Sequence, residues 1–221
     1  SRSHHFGQAG RHVERLAEDG LIGLMFGNTP KAIPPWGGTQ ALFGTNPIAF
    51  ASPRDSAVPL VIDMSLSKVA RGKVMVANQL NEKIPEDWAI DKDGKPTTDA
   101  KKALEGAMLP IGDAKGSALA LMVEVLAAGL TGSNFGFEAS SFLNAEGDAP
   151  GVGQLIIAID PSFFSGESFG ERTETLVGAV LEQPGTRLPG DKRIEKRKVR
   201  EKSETITISK DPYEKIELLI K

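Results

Sequence analysis

Cysteine is absent from the 221 residues, which excludes a disulfide framework, a cysteine-based zinc site and a thiol nucleophile. That fits a reducing cytoplasm. An excess of charge of one sign is also absent. Lys plus Arg number 26 against 29 Asp plus Glu, a net charge of −3, so nothing electrostatic points to nucleic acid or an anionic membrane as partner. The longest apolar run, Ala118 to Leu130, is interrupted by Glu124 and is too short to cross a bilayer. No basic stretch followed by an apolar one opens the chain, so nothing suggests export. The expectation is a soluble cytoplasmic protein. Several catalytic signatures are missing as well: there is no G-x-x-x-x-G-K-[ST] loop, no H-E-x-x-H helix and no G-x-S-x-G elbow. Gly151-Val152-Gly153 begins like a dinucleotide fingerprint, but Ile156 stands where the third glycine belongs. The segment also precedes its strand instead of following one, so a Rossmann unit is not expected.

What is present reads as one α/β domain. Hydrophobic content of 40% and charged content of 25% are ordinary, and the length suffices for a substantial core. Residues 7–19 carry helical spacing, with Val13, Leu16 and Ala17 on one face and Gly20 beyond the end. Leu21 to Phe26 is a short apolar run of strand length, and strands are expected at 48–51, 59–62 and 155–159, the last as a core strand. Helices are expected at 66–80, 116–130 (the most buried), 166–183 and 191–202. Residues 28–47 and 131–153 read as long loops, the first of a kind that is usually functional.

Three constellations could carry chemistry. His4 and His5 lie in Ser3-His4-His5-Phe6-Gly7, a turn ahead of the first helix, and histidine passes protons at neutral pH with a reference pKa of about 6.5. Either the pair is catalytic, or it is a turn pair satisfied by a backbone carbonyl. Asp63, at the carboxyl end of an apolar strand, could accept ribose hydroxyls or could cap the helix that follows. Lys115, in Gly112-Asp113-Ala114-Lys115-Gly116 at a helix start, could hold a phosphate or simply be solvated. Asp91-Lys92-Asp93-Gly94 with Asp99 lacks the ligands of a calcium loop and reads as an Asp-Gly turn. The basic run from Lys192 to Lys202 is interleaved with Glu195 and Glu201 and has no aromatic residues; it reads as a solvated helix face, not a nucleic-acid surface.

Taken in order, these segments resemble the type-2 malate/L-lactate dehydrogenase family, a sulfolactate-dehydrogenase-like group of NAD(P)-dependent oxidoreductases without a Rossmann fold. The resemblance rests on Ser3-His4-His5-Phe6-Gly7, Pro35-Trp36-Gly37-Gly38, Gly44-Thr45-Asn46-Pro47-Ile48-Ala49, Asp63-Met64-Ser65, Arg71-Gly72-Lys73, Ile84 to Ala89, Gly94 to Asp99, Lys115-Gly116 and Pro189-Gly190-Asp191. It implies a three-layer α/β/α fold with a mixed sheet, NAD or NADP as cofactor, and hydride exchange between a 2-oxo acid and a 2-hydroxy acid. In that pattern His5 is the acid/base. The cofactor positions implied are Thr29, Asp63, Met64, Ser65, Lys115, Gly190, Asp191 and Lys192, with no metal. The family's habit is a homodimer, and its members use malate, lactate, sulfolactate, ureidoglycolate or a cyclic imino acid.

Residues 1–221 are accordingly expected to form a single cofactor-binding and catalytic domain with a basic helical segment at 191–221. The family's N-terminal region, whose Ser-His-Gly segment and arginine meet the substrate carboxylate, is missing from this sequence. Ser117 replaces the commoner aromatic residue after the Lys-Gly pair, and Phe135 to Ser141 looks lineage-specific; both leave the substrate open, and a sulfolactate-like acid is expected over malate. The rival expectation is an inactive cofactor-binding or dimerisation fragment. A third, a hydrolase using His4 or His5 with water, has no second polarising group in sight.

Overall fold

The central strands follow from short apolar segments of alternating facing. A computed structural model describes residues 1–55, 57–142, 146–203, 205, 207–208 and 210–220. The expected loop at 131–153 therefore lies outside the described residues at 143–145, and the 191–221 segment at 204, 206, 209 and 221. Helix α1 (Ala9–Glu18) runs into strand β1 (Ile22–Gly27), followed by β2 (Ile48–Ser52) and β3 (Leu60–Met64). Helix α2 (Arg71–Gln79) leads to β4 (Ala89–Ile90), α3 (Ala100–Glu105) and β5 (Ala107–Met108). Then come α4 (Ala114–Val123), a π-helical turn (Glu124–Gly129), β6 (Gln154–Ile159), α5 (Ser162–Ser165), α6 (Ser168–Leu181), α7 (Asp191–Glu201) and α8 (Lys210–Ile220). No helix is long and apolar enough to cross a membrane among the described residues.

Four strands form one sheet in the order β3-β2-β1-β6, and β4 pairs with β5 in a separate ladder. The α/β architecture without a Rossmann unit is present. The sheet itself is antiparallel at every pairing, where a mixed sheet was expected. Short connections explain this for β2 and β3, since antiparallel neighbours need no crossover.

The register decides what each face carries. Met25 sits opposite Ala49, and Ala49 opposite Asp63, so the three side chains share one face. Met25, Ala49, Ala51 and Val61 pack there against Ala9, Val13 and Ala17 of α1. Helix α1 has no side-chain cap from Gln8, a local deficit of about 1 kcal/mol that Asp63 on the facing strand makes up in part through the Gly10 N–H. Its buried face outweighs that, because each fully buried side chain of this size contributes roughly 1.5–3 kcal/mol. On the opposite face Leu24, Phe26 and Ile48 meet Ile33, Phe43, Ala120, Val123 and Ala127, which completes three layers.

Two expectations fail in detail. Strand β6 pairs only with β1 and leaves Ile156 49% and Ile157 39% exposed, so it is an edge strand and not a core strand. The most buried helix is regular only to Val123; beyond it the N–H of Leu130 reaches back five residues to the Val125 carbonyl at 2.8 Å. Glu124, the one charge in that apolar run, is buried.

Candidate active site

A cavity of about 500 Å³ opens where the turn before α1, the ends of β1 and β3, and the start of β2 and α2 converge. Its walls are His5 to Ala9, Thr29, Pro30, Thr45, Pro47, Asp63, Arg71, Ser141 and Phe142. The His5 turn is held by its neighbours. Phe6 lies against Gly27, where an added Cβ would come within 2.6 Å of the ring, so β1 must end in glycine for the turn to seat. His12 Nε2 bonds the Phe6 carbonyl at 2.9 Å. The His5 ring stacks on Phe6 at 5.9 Å and meets Phe142 edge-on at 5.7 Å.

The imidazole has a defined polarity. The Gly7 N–H donates to His5 Nδ1 at 2.9 Å, so Nδ1 accepts and the neutral ring carries its proton on Nε2. The turn alternative, a ring satisfied by a carbonyl, is not what His5 does.

Asp63 does cap a helix, but not the one that follows it. Its Oδ2 accepts the Gly10 N–H at 2.8 Å, in the first turn of α1, because the register turns it toward that helix. Helix α2 starts at Ala70 without a side-chain cap. A Cβ on Gly10 would lie 2.8 Å from Asp63 Oδ2 and 3.1 Å from Arg193 Nη1, so both side chains converge on the amino end of α1.

Arg71 is the site residue that sequence reasoning left without a role. It is the first residue of α2, half-buried, and among the described residues its guanidinium reaches only the Lys31 and Leu104 carbonyls, at 3.5 and 3.4 Å. No carboxylate pairs with it among the described ion pairs. Burial pushes its pKa below the usual arginine value. A cation without a counter-ion, at the positive end of a helix, is an anion site. Its sequence signal is confined to the Arg71-Gly72-Lys73 motif.

Of the residues expected to contact cofactor, the cavity gathers Thr29 and Asp63 with His5. Thr29 Oγ1 accepts the Thr45 N–H at 2.9 Å and sits 3.3 Å from the Thr45 hydroxyl. Met64 is 40% exposed just beyond Asp63, and Ser65 bonds the Ser67 hydroxyl at 3.1 Å; neither lines the cavity. Lys115 lies in the exposed first turn of α4, outside the cavity. Gly190 opens α7 with φ +89°, Asp191 Oδ2 accepts the Leu188 N–H at 2.8 Å, and Lys192 lines a second groove. That groove also carries Arg193, Lys196, Arg197 and Arg200, and it shares Gln8 with the cavity, so the two adjoin. Arg193 Nε and Nη2 are buried and without a hydrogen-bond partner among the described residues.

Comparison with known proteins supplies an independent frame. The sequence model of a family described as malate/L-lactate dehydrogenase matches residues 1–217. The (2R)-3-sulfolactate dehydrogenase (NADP(+)) of Chromohalobacter salexigens is 59% identical over 201 residues, which cover 91% of this chain and 60% of that protein. A Delta(1)-pyrroline-2-carboxylate/Delta(1)-piperideine-2-carboxylate reductase of Pseudomonas putida is 44% identical over 90% of this chain and 59% of its own length. Among solved structures, the delta1-piperideine-2-carboxylate reductase of Pseudomonas syringae superposes with a TM-score of 0.89 at 42% identity, over 99% of this chain and 66% of that one. The sulfolactate dehydrogenase of Methanocaldococcus jannaschii gives 0.85 at 37%, over 96% and 62%. The chain thus spans about 60% of the length of the curated relatives it matches.

Proposed function

Since the chain belongs to the malate/L-lactate dehydrogenase family, we propose that it serves the NAD(P)H-dependent interconversion of a 2-oxo acid and a 2-hydroxy acid. The observation that carries this reading is one cavity lined by both an imidazole, His5, and a half-buried arginine without a counter-ion, Arg71. Arg71 binds the substrate carboxylate, and Thr29 and Thr45 offer hydroxyls beside it. His5 handles the proton at the substrate oxygen through Nε2. Taking up a second proton at Nδ1 requires the ring to release the Gly7 N–H, a change worth about one neutral hydrogen bond, roughly 1 kcal/mol. Substrate binding that turns the ring therefore switches His5 from a resting donor to a working acid/base.

A bound nicotinamide dinucleotide supplies or accepts the hydride exchanged at the substrate carbon. The residues fit such a ligand: the orphaned Arg193 nitrogens and the basic face of α7 suit its phosphates, and the groove adjoins the His5 cavity through Gln8. Asp63 in the cavity wall and Lys192 in the groove support this reading, and Met64, Ser65, Gly190, Asp191 and Lys115 are assigned by resemblance alone. Arg197 is held by Glu14 and Glu201 shares the lining, but Lys192, Arg193, Lys196 and Arg200 favour the phosphate-bearing NADP, in keeping with the cofactor named for the sulfolactate relative. That relative also supports a sulfolactate-like acid as substrate.

A cytoplasmic homodimer completes the proposal, supported by the absence of cysteine and by the apolar side chains that α4 leaves open, Leu119, Leu121 and Met122.

The test is a panel of 2-oxo acids with NADH and NADPH, on a polypeptide of the relatives' full length, with His5→Ala and Arg71→Ala alongside. His5→Ala lowers kcat by about a hundredfold or more, whereas Arg71→Ala acts mainly by raising KM. Near-normal turnover in His5→Ala removes the proposed acid/base.

A further inference from the structure

From the floor of the cavity we infer that Glu124 is a positioning residue, whose carboxylate orients Asn28 and Asn46 and thereby sets Thr29 and Thr45 against the 2-oxo acid. This deepens the reading of the cavity given above and rests on it.

Glu124 is 3% exposed and opens the π-helical turn. Wide turns of this kind recur at functional sites, because they re-aim a side chain without ending the helix. Its carboxylate receives four donors. Oε1 accepts from the Gly44 N–H at 3.2 Å and Asn46 Nδ2 at 2.9 Å; Oε2 accepts from Asn28 Nδ2 at 3.2 Å and the Gly136 N–H at 3.1 Å. No cation pairs with it among the described ion pairs. Two loops therefore meet on one side chain: the 28–47 loop between β1 and β2, held near both of its ends, and the one at 134–138.

A group that only accepts fixes which way its amide neighbours point. Asn46 must turn Nδ2 toward Glu124, and its second donor contact is to the Ala120 carbonyl at 3.0 Å. Its Oδ1 then faces the Thr29 N–H at 3.3 Å. Asn28 likewise turns Nδ2 toward Glu124 and the Asn134 carbonyl, leaving Oδ1 to accept the Gly153 N–H at 2.8 Å. Thr29 in turn holds the backbone and hydroxyl of Thr45, whose hydroxyl bonds only that of Thr29 among the described residues. The packing leaves no slack: a Cβ at Gly136 would lie 2.8 Å from the Gly44 nitrogen and 2.9 Å from Glu124 Oε1. Asn46 itself holds a left-handed φ of +42°, which asparagine tolerates better than most residues. The carboxylate thus acts on the cavity through two amides and never touches the ligand.

The experiment compares wild type, Glu124→Gln and Asn46→Asp at the relatives' full length, measuring NADPH affinity by fluorescence and KM and kcat for 2-oxo acids. Glu124→Gln aims an amide donor at existing donors. It raises KM tenfold or more and weakens NADPH binding by a smaller factor, because Thr29 is the one expected cofactor position on this floor, whereas the α7 groove and Asp63 lie off it. Asn46→Asp is the second variant, needed should Glu124→Gln fold poorly. It sets two carboxyls face to face, which share one proton at low pH and repel once it is lost. Its KM is near that of wild type at low pH and climbs above it as pH rises, a profile that a loosened fold would not give. The inference is overturned by a KM unchanged in Glu124→Gln, by equal losses of NADPH and 2-oxo acid affinity, or by a flat Asn46→Asp profile relative to wild type. Failure of the wild type itself to bind any 2-oxo acid overturns the reading of the cavity, and Glu124 with it.

Discussion

Two glutamates are buried to the same 3% exposure in different regions, and their surroundings differ in kind. Glu14, on the seam between α1 and α7, meets cations. Arg197 grips both its oxygens at 2.9 and 3.0 Å, and Arg11 adds a third contact at 2.9 Å. Glu124, beneath the cavity, meets only amide N–H groups. The seam joins two helices through charge, which tolerates small changes of angle. The floor joins two loops through directed hydrogen bonds, which do not. A fold that must hold hydroxyls to a few tenths of an ångström uses the second device, and one that must only attach a helix uses the first.

The comparison breaks first at Glu124→Ala. That change strands four donors in the interior with no water to receive them, a loss of about 3–5 kcal/mol. Thermal unfolding should begin roughly 10 °C lower. A drop of only a degree or two would mean that water enters the floor and takes over the four bonds, and the contrast with Glu14 would vanish.

How much of this was legible before the structure depends on range. The apolar runs announce β1, β2 and β3 within two residues, and the 28–47 loop, conspicuous by its length, supplies Thr29, Pro30, Thr45 and Pro47 to the cavity. His5, Thr29 and Asp63 do meet in one cavity. The helix that Asp63 caps could not be read, because the capping crosses 53 residues and depends on the strand register. β6 was read as a core strand from its isoleucines, yet burial depends on how many neighbours a strand has, which composition does not state. Glu124 registered only as an interruption of an apolar run. Its four donors come from positions 28, 44, 46 and 136, so no local pattern announces them. Arg71 was noticed as a motif, and its missing counter-ion became visible only in three dimensions.

Arg197→Ala sharpens the other side of the comparison. Glu14 keeps Arg11, so the loss is smaller, about 1–2 kcal/mol. It should be local: hydrogen exchange in α7 rises while that of the sheet is unchanged. Uniform acceleration across the protein would show that the seam supports the core and does more than attach a helix.

A smaller effect appears in acid. Burial pushes the Glu14 carboxyl up, but the hydrogen bonds and charges of Arg197, and then of Arg11, more than offset it, so its pKa lies below the usual value. A carboxyl depressed by folding stabilises fully above the unfolded glutamate value, about 4.3, and that share is lost as pH falls through the folded value. Glu14→Gln should therefore flatten the decline of melting temperature below about pH 4.3. The decline persists in part, because Glu174 beside Arg54 and Asp87 beside Lys68 are depressed as well. An unchanged acid limb would place the seam's stability in packing and not in charge.

The least effect belongs to Glu18→Gln, and it isolates what the buried contact owes to its exposed neighbour. Arg11 reaches both Glu14 and Glu18 at 2.9 Å, with Arg11 and Glu18 each more than 40% exposed. Exposed pairs of this kind contribute up to about 0.5 kcal/mol and fade with salt. If Arg11 is held chiefly by the buried carboxylate, removing Glu18 shifts the melting temperature by about a degree or less, and adding salt abolishes even that. A larger and salt-resistant shift would mean that Glu18 fixes the Arg11 geometry, making the seam a chain of four charges whose buried member, Glu14, depends on its exposed end.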